Sequence, residues 1–237
     1  MKEPILLIPG MMCDARVFEP QIKDLSREFT LQVAQVCQQE SIREMAAEVL
    51  HHAPNRFALC GLSMGGIVAM EVLRRAPERV TRICLISTTP LAETPEQAVW
   101  REPQIVKAQA GKLQEAMDEA LSPDNMFDGP RKEQVRATLR EMGQEIGAKT
   151  FVRQSRALQK RPDAQKQLRM LRAPSLVLCG EHDKITPVKR HSFMAELIPY
   201  AELAVIDDAG HIPTLETPEK VNMALRAWMD LPMVLRT

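Results

Sequence analysis

The stretch Phe57 to Leu73, FALCGLSMGGIVAMEVL, constrains this chain more than any other. Phe57 to Cys60 is a short apolar run suited to a buried strand. Gly61-Leu62-Ser63-Met64-Gly65 interrupts it, and an almost continuously apolar helical stretch follows. Strand, G-x-S-x-G and helix, in that order, make a nucleophile elbow. Gly61 and Gly65 flank a turn in which neighbouring backbone comes close and side chains would clash. The turn pushes the Ser63 hydroxyl out beyond the strand, over the first N–H groups of the helix. Negative charge developing there is favoured by those groups and by the helix dipole. The competing reading is a tight turn with no chemistry.

The rest of the chain supplies the setting. Ile5 to Ile8 is an apolar strand ended by Pro9-Gly10, and Phe29 to Val36 reads as a second strand. Ser41 opens a helix with Glu44 three residues on, a capping-box pattern, and Pro54 stops it. His51 and His52 fall in its last turn, where positive charge suits the dipole. Adjacent residues diverge on a helix, so this pair makes a poor metal site. Val80 to Ile86, Ser175 to Cys179 and Leu203 to Ile206 are further strands. Thr186-Pro187 and Thr217-Pro218 are helix-start pairs. Strands alternating with helices imply right-handed crossovers and a parallel sheet.

Between about Leu91 and Leu171 the rhythm changes. Charged and amide residues dominate, and Gln97–Leu121, Lys132–Ile146 and Thr150–Gln159 read as helices without a strand among them. The expected division is a core of residues 1–90 and 171–237 with a helical cap inserted at 91–170. Ordinary surface helices are the alternative.

Composition narrows the function. Lys+Arg 31 against Asp+Glu 31 gives a formal net charge of +0, spread along the chain. Nothing there points to nucleic acid or an anionic membrane. The longest uncharged stretch, Phe57 to Met70, is too short for a bilayer-spanning helix. Lys2 before an apolar run superficially resembles a signal peptide, but Pro4 and Pro9 interrupt the run and no A-x-A site follows. The five cysteines (Cys13, Cys37, Cys60, Cys84, Cys179) are odd in number and without a C-x-x-C. They fit buried free thiols better than a disulfide framework or a zinc site. A cytoplasmic protein is the expectation.

A serine hydroxyl is a poor nucleophile until a base takes its proton, and histidine is the usual base near neutral pH. His211 is the candidate base, in a glycine-preceded loop after the last strand. The base needs an acid to fix its tautomer and stabilise the imidazolium. Asp183, in Gly180-Glu181-His182-Asp183, lies at the same sheet edge as Ser63, where sites in open α/β sheets collect. Each assignment has a rival. Asp183 could cap the helix beginning near Thr186, and Glu181, Asp207 or Asp208 could supply the acid. His182 reads as loop surface and His191 as the exposed side of a helix. An oxyanion also needs two amide donors. Met64, after the nucleophile, and Met11, after Pro9-Gly10, are the candidates.

With these residues placed, the chain resembles the α/β-hydrolase superfamily, especially its small cap-bearing esterase, lactonase and C–C-bond hydrolase branches. The resemblance rests on LLIPGMM, GLSMGG, LCGEHDKITP and DDAGHIPTLETPE, and covers everything but most of the cap. It implies a mostly parallel sheet of about six strands flanked by helices. Ser63 would be the nucleophile, His211 the base and Asp183 the acid, with the Met11 and Met64 amides as oxyanion hole. Many relatives carry His-Gly where this chain has Pro9-Gly10, which bears on how the oxyanion loop is supported.

The implied function is hydrolysis of a small carboxylic ester, lactone or thioester through an acyl-enzyme, with no metal or organic cofactor. Two alternatives stand beside it: C–C hydrolysis, elimination or perhydrolysis with the same triad, and a hydrolase-like protein that binds without turnover. Oligomeric state is left open. Arg101, Arg136, Arg140 and Arg153 are candidates for holding a carboxylate-bearing substrate, or simply solvated helix faces. Trp100 and Phe127 either line the pocket or form the cap's own core.

Overall fold

In a computed structural model, residues 3–232 are described. Met1, Lys2 and residues 233–237, which fall in the expected 1–90 and 171–237 segments, lie outside them. The six strands are β1 (Ile5–Ile8), β2 (Leu31–Val33), β3 (Phe57–Leu62), β4 (Val80–Ile86), β5 (Ser175–Gly180) and β6 (Ala201–Ile206). They form one sheet in the order β2-β1-β3-β4-β5-β6, every pairing parallel.

The four inner strands β1, β3, β4 and β5 are buried along their whole length because helices cover both faces, whereas the edge strand β6 leaves Glu202, Leu203 and Val205 exposed. Side chains alternate along each strand, so each sends its residues to two cores. Leu6, Ile8, Leu59, Leu85 and Val177 pack with Met45 and Val49 of α2 (Ile42–His52), Val68 of α3 (Met64–Arg75) and Met194 of α9 (Val188–Leu197). Leu7, Cys60, Cys84, Ile86 and Leu178 pack on the other face with Leu25 of α1 (Glu19–Leu25) and Leu225 and Trp228 of α11 (Pro218–Asp230). Each large apolar side chain buried this way contributes about 1.5–3 kcal/mol.

Between β4 and β5 lie α4 (Pro95–Gln109), α5 (Leu113–Ala120), α6 (Lys132–Ile146), α7 (Ala148–Gln159) and α8 (Gln165–Met170). The helix expected over Gln97–Leu121 is two helices, parted where Gly111 takes a φ of +82°. Ala108, Ala116 and Phe151 share a core with Met11 and Met12. Val135, Leu139 and Met142 share one with Cys13, Val17 and Phe18. These helices therefore pack onto the segment that follows β1. By contrast, α8 packs against α3 and α9.

Three local expectations change. The strand read at Phe29 to Val36 pairs only over Leu31–Val33, because the chain leaves the sheet edge after the Ala34 amide bonds the Leu7 carbonyl at 2.9 Å. Ser41 accepts the Glu44 amide at 3.2 Å, but the Glu44 carboxylate turns back to the Glu40 amide, so the reciprocal half of a capping box is displaced by one residue. Thr186 does not cap a helix: α9 begins at Val188, and the Thr186 hydroxyl is spent on Asp183.

A parallel sheet brings all its strand C-termini to one edge, and the register keeps five of them level. Ile8 pairs with Gly61, Leu62 with Ile86, Ile86 with Leu178, and Gly180 with Ile206. The loops after β1, β3, β5 and β6 leave from this edge. They carry Met11, Ser63, Asp183 and His211.

Candidate active site

Ser63 occupies the turn between β3 and α3 with φ +54° and ψ −117°. That is a strained conformation for a residue with a side chain, costing of order 1–3 kcal/mol. Its surroundings hold it there. The Ser63 amide donates to the Ile86 carbonyl at 2.8 Å, and its carbonyl accepts from the Gly66 amide at 2.9 Å and the Thr88 hydroxyl at 2.8 Å. The flanking glycines are required by contact: a Cβ on Gly65 would lie 2.1 Å from the Ile8 carbonyl oxygen, and one on Gly61 2.4 Å from that of Gly65. The clash expected from the sequence is thus found, and it docks the elbow against the end of β1.

His211 follows β6 in a buried loop. Its Nε2 lies 3.0 Å from Ser63 Oγ and its Nδ1 2.9 Å from Asp183 Oδ2. Asp183 also accepts the Ile185 and Thr186 amides on Oδ1, both at 2.9 Å, and the Thr186 hydroxyl on Oδ2 at 2.7 Å. The rival reading of Asp183 as a helix cap does not hold, since α9 begins only at Val188 and the amides Asp183 accepts belong to the turn before that helix. Asp183 shapes the turn and reaches His211. Burial pushes this carboxyl up, but the charge and hydrogen bond of His211 and the Thr186 contacts outweigh that and leave it below the usual aspartate range.

The other acids do not reach the imidazole. Asp207 and Asp208 pair with Lys220 at 2.7 and 3.2 Å, and Glu181 lies 3.8 Å from His182, all at exposed positions. His182 is surface, as expected, and stacks on Phe127 with ring centroids 4.9 Å apart.

Met11 and Met64 border the same cavity as Ser63 and His211, a space of about 170 Å³. Among the described residues neither the Met11 nor the Met64 amide has an acceptor. The adjacent Met12, at φ +56°, gives its amide to Gln154 Oε1 of α7 at 2.9 Å. Gln154 Nε2 donates in turn to the Val36 carbonyl at 3.0 Å. The loop after Pro9-Gly10 is thus held by a buried amide side chain from the segment between β4 and β5.

Two more supports escape a reading of the sequence. His191 is fully buried, not on an exposed helix side, because α9 turns it toward the loop after β4. Its Nε2 accepts the Thr88 amide at 3.0 Å, and Thr88 is the residue that holds the Ser63 carbonyl. Burial pulls this imidazole down to about 4. Glu216, in α10 (Pro213–Glu216), accepts the amides of Gly210 and Ile212 at 2.9 and 2.8 Å, one on each side of His211. It also takes the Phe127 amide at 2.7 Å. Burial pushes its carboxyl up in spite of these three donors. The only sequence signal for Glu216 is an acid placed among apolar residues in HIPTLE.

The remaining candidates sort plainly. Trp100 is exposed, and neither it nor Phe127 borders the cavity of Ser63. All five cysteines are free, four of them buried; burial raises the Cys13 and Cys179 thiols to about 12. His52 pairs with Glu48 at 3.0 Å on the surface. Among the described residues no cluster of three or more metal-ligating side chains occurs, and no helix is long and apolar enough to cross a membrane.

Residues 35–218 match the family model described as alpha/beta hydrolase fold. The chain belongs to that family. Over 231 residues it is 26% identical to the pimeloyl-[acyl-carrier protein] methyl ester esterase of Nitrosomonas europaea, covering 91% of each chain. The enzyme of that name from Aromatoleum aromaticum is 28% identical over 194 residues, 72% of this chain and 73% of its own. Among solved structures, a thermophilic esterase from Thermogutta terrifontis, determined with malate bound, superposes with a TM-score of 0.87 at 27% identity, covering 96% of this chain and 89% of its own. The sheet, the elbow and these relatives make the chain a serine hydrolase of the α/β-hydrolase fold.

Proposed function

We propose that the chain hydrolyses a small carboxylic ester, thioester or lactone through an acyl-enzyme on Ser63. The pair of contacts at His211 carries this reading. Asp183 accepts at Nδ1, which assigns the ring proton to that nitrogen and leaves Nε2 free to accept from Ser63 Oγ. As Oγ attacks the carbonyl carbon, His211 takes its proton and becomes imidazolium beside the ionised Asp183. The oxyanion falls between the Met11 and Met64 amides, a contribution of about 10²–10³ in rate per donor in comparable sites. His211 then protonates the departing alkoxide or thiolate. In the second half-reaction it takes a proton from water, whose oxygen attacks the acyl carbon. It returns that proton to Ser63 as the acid leaves. No step calls on a metal or organic cofactor.

Residues 91–170 would act as a cap on a core of residues 1–90 and 171–237, with Gln154 joining the cap to the oxyanion loop. A balanced net charge supports a small-molecule substrate over nucleic acid or a membrane surface. Free, unpaired cysteines fit a reducing compartment, so we place the enzyme in the cytoplasm. Turnover of p-nitrophenyl acetate and butyrate tests the reading. Wild type should hydrolyse them, and Ser63→Ala should lose at least about 10³-fold in kcat/KM. Equal turnover by the two proteins would overturn it.

A further inference from the structure

The cavity that holds Ser63 and His211 is also bordered by Arg101, Arg161, Arg190 and Glu93. Of the four arginines singled out in the sequence, only Arg101 is there. Arg136, Arg140 and Arg153 pair with surface carboxylates elsewhere. Glu93 is the sole carboxylate bordering the cavity among the described residues, and its side chain is 2% exposed. It is shared. Arg101 Nε reaches both its oxygens at 2.9 and 3.0 Å, and Arg161 Nη1 reaches one at 3.1 Å while its Nε holds the Leu91 carbonyl.

This leaves donors over. Both Nη atoms of Arg101, Nη2 of Arg161 and the whole Arg190 guanidinium have no hydrogen-bond or ion-pair partner among the described residues. None of them is among the buried polar atoms sealed away without a partner, so they face open space. Three guanidiniums against one carboxylate leave an excess of two positive charges in a small cavity. The mutual repulsion is felt: burial and the nearby Arg101 and Arg190 hold Arg161 below its usual range, against the pull of Glu93. Planar forks of N–H donors are suited to a carboxylate, which can accept two parallel bonds from one guanidinium.

Resting on the ester-hydrolase reading, we propose that the substrate carries a free carboxylate besides its scissile ester, gripped by Arg190 with the unpartnered Nη atoms of Arg101 and Arg161. Arg101 and Arg161 are set in place by Glu93, whereas Arg190, on α9, has no competing partner and is the specificity-determining residue. The substrate is thus a half-ester of a dicarboxylic acid, with the carboxylate on the acyl side, or an ester of a hydroxy acid, with it on the leaving-group side.

The test compares kcat/KM for monomethyl and dimethyl esters of succinic, glutaric and adipic acids, and for acetyl esters of glycolic acid and of its methyl ester. One of the two charged series should exceed its neutral counterpart by at least about tenfold, which identifies the side. Arg190→Met should lower the charged substrate at least about tenfold more than the neutral one, mainly in KM. Arg190→Lys should recover part of the preference. Free glutarate should inhibit wild-type p-nitrophenyl acetate turnover competitively, and Arg190→Met only weakly. Neutral esters turned over as well as charged ones, or equal losses for both in Arg190→Met, would overturn the carboxylate grip and leave the esterase reading intact. No turnover of any ester, with no fluorophosphonate labelling of Ser63, would remove the esterase reading and this proposal with it.

Discussion

Gln154 Oε1 accepts the Met12 amide at 2.9 Å across 142 positions of sequence. The bond fixes a loop that the Pro9-Gly10 pair alone does not, since Met12 sits at φ +56° and the Cys13 amide makes only a 3.3 Å turn bond to Gly10. Gln154→Ala would strand a buried N–H and a buried C=O, each costing about 1–3 kcal/mol. Ester hydrolysis by this variant should fall by about 10–100-fold in kcat with little change in KM, because the loss falls on the oxyanion and not on the bound ester. Steady-state kinetics beside a thermal melt checks this. A folded variant with wild-type kcat would refute the role.

Glu216 brackets His211 through the Gly210 and Ile212 amides. Glu216→Gln keeps the shape but turns an NH₂ toward one of three N–H donors, so a buried donor goes unpaired. The expected cost is about 1–3 kcal/mol of stability, together with a lower kcat as His211 loses its fixed position. Chemical denaturation and kinetics on the same preparation measure both. Unchanged stability and kcat would contradict this role for Glu216.

The pH dependence of stability should report His191. Its folded value of about 4 lies below the ordinary 6.5, so the unfolded chain binds the proton more readily. The contribution is fully present above pH 6.5 and is lost as pH falls through 4. The drop is about 3 kcal/mol over that window, from 1.36 kcal/mol per pH unit. His191→Gln offers an acceptor to the Thr88 amide but does not titrate. Urea melts at pH 7, 5.5 and 4 should show wild type losing about 3 kcal/mol more than the variant. Parallel losses would contradict this.

The fold was legible because its strands are apolar runs bounded by glycine and proline, as Ile5–Ile8 before Pro9-Gly10 and Ser175–Gly180 before Glu181 show. Ser63, Asp183 and His211 were legible because each follows such a run at the sheet's C-terminal edge. The residues that hold them were not. Gln154 lies on a helix whose sequence reads as solvated, and its partners, Met12 and Val36, are more than a hundred positions away. His191 escapes the sequence for the same reason: α9 has little apolar periodicity to mark its buried side, and only the fold of the chain brings Thr88 over the imidazole. Arg161 and Arg190 differ from surface arginines only in what surrounds them, which periodicity does not record.

The central claim is that Ser63 is the nucleophile and His211 its base. Treating wild type with a fluorophosphonate and mapping the adduct by mass spectrometry of peptides tests it most directly. Addition should be near-stoichiometric on Ser63 and absent on Ser63→Ala, and labelling should be slowed by at least about 10³-fold in His211→Ala. Stoichiometric addition at a residue other than Ser63, or an undiminished rate in His211→Ala, would contradict it.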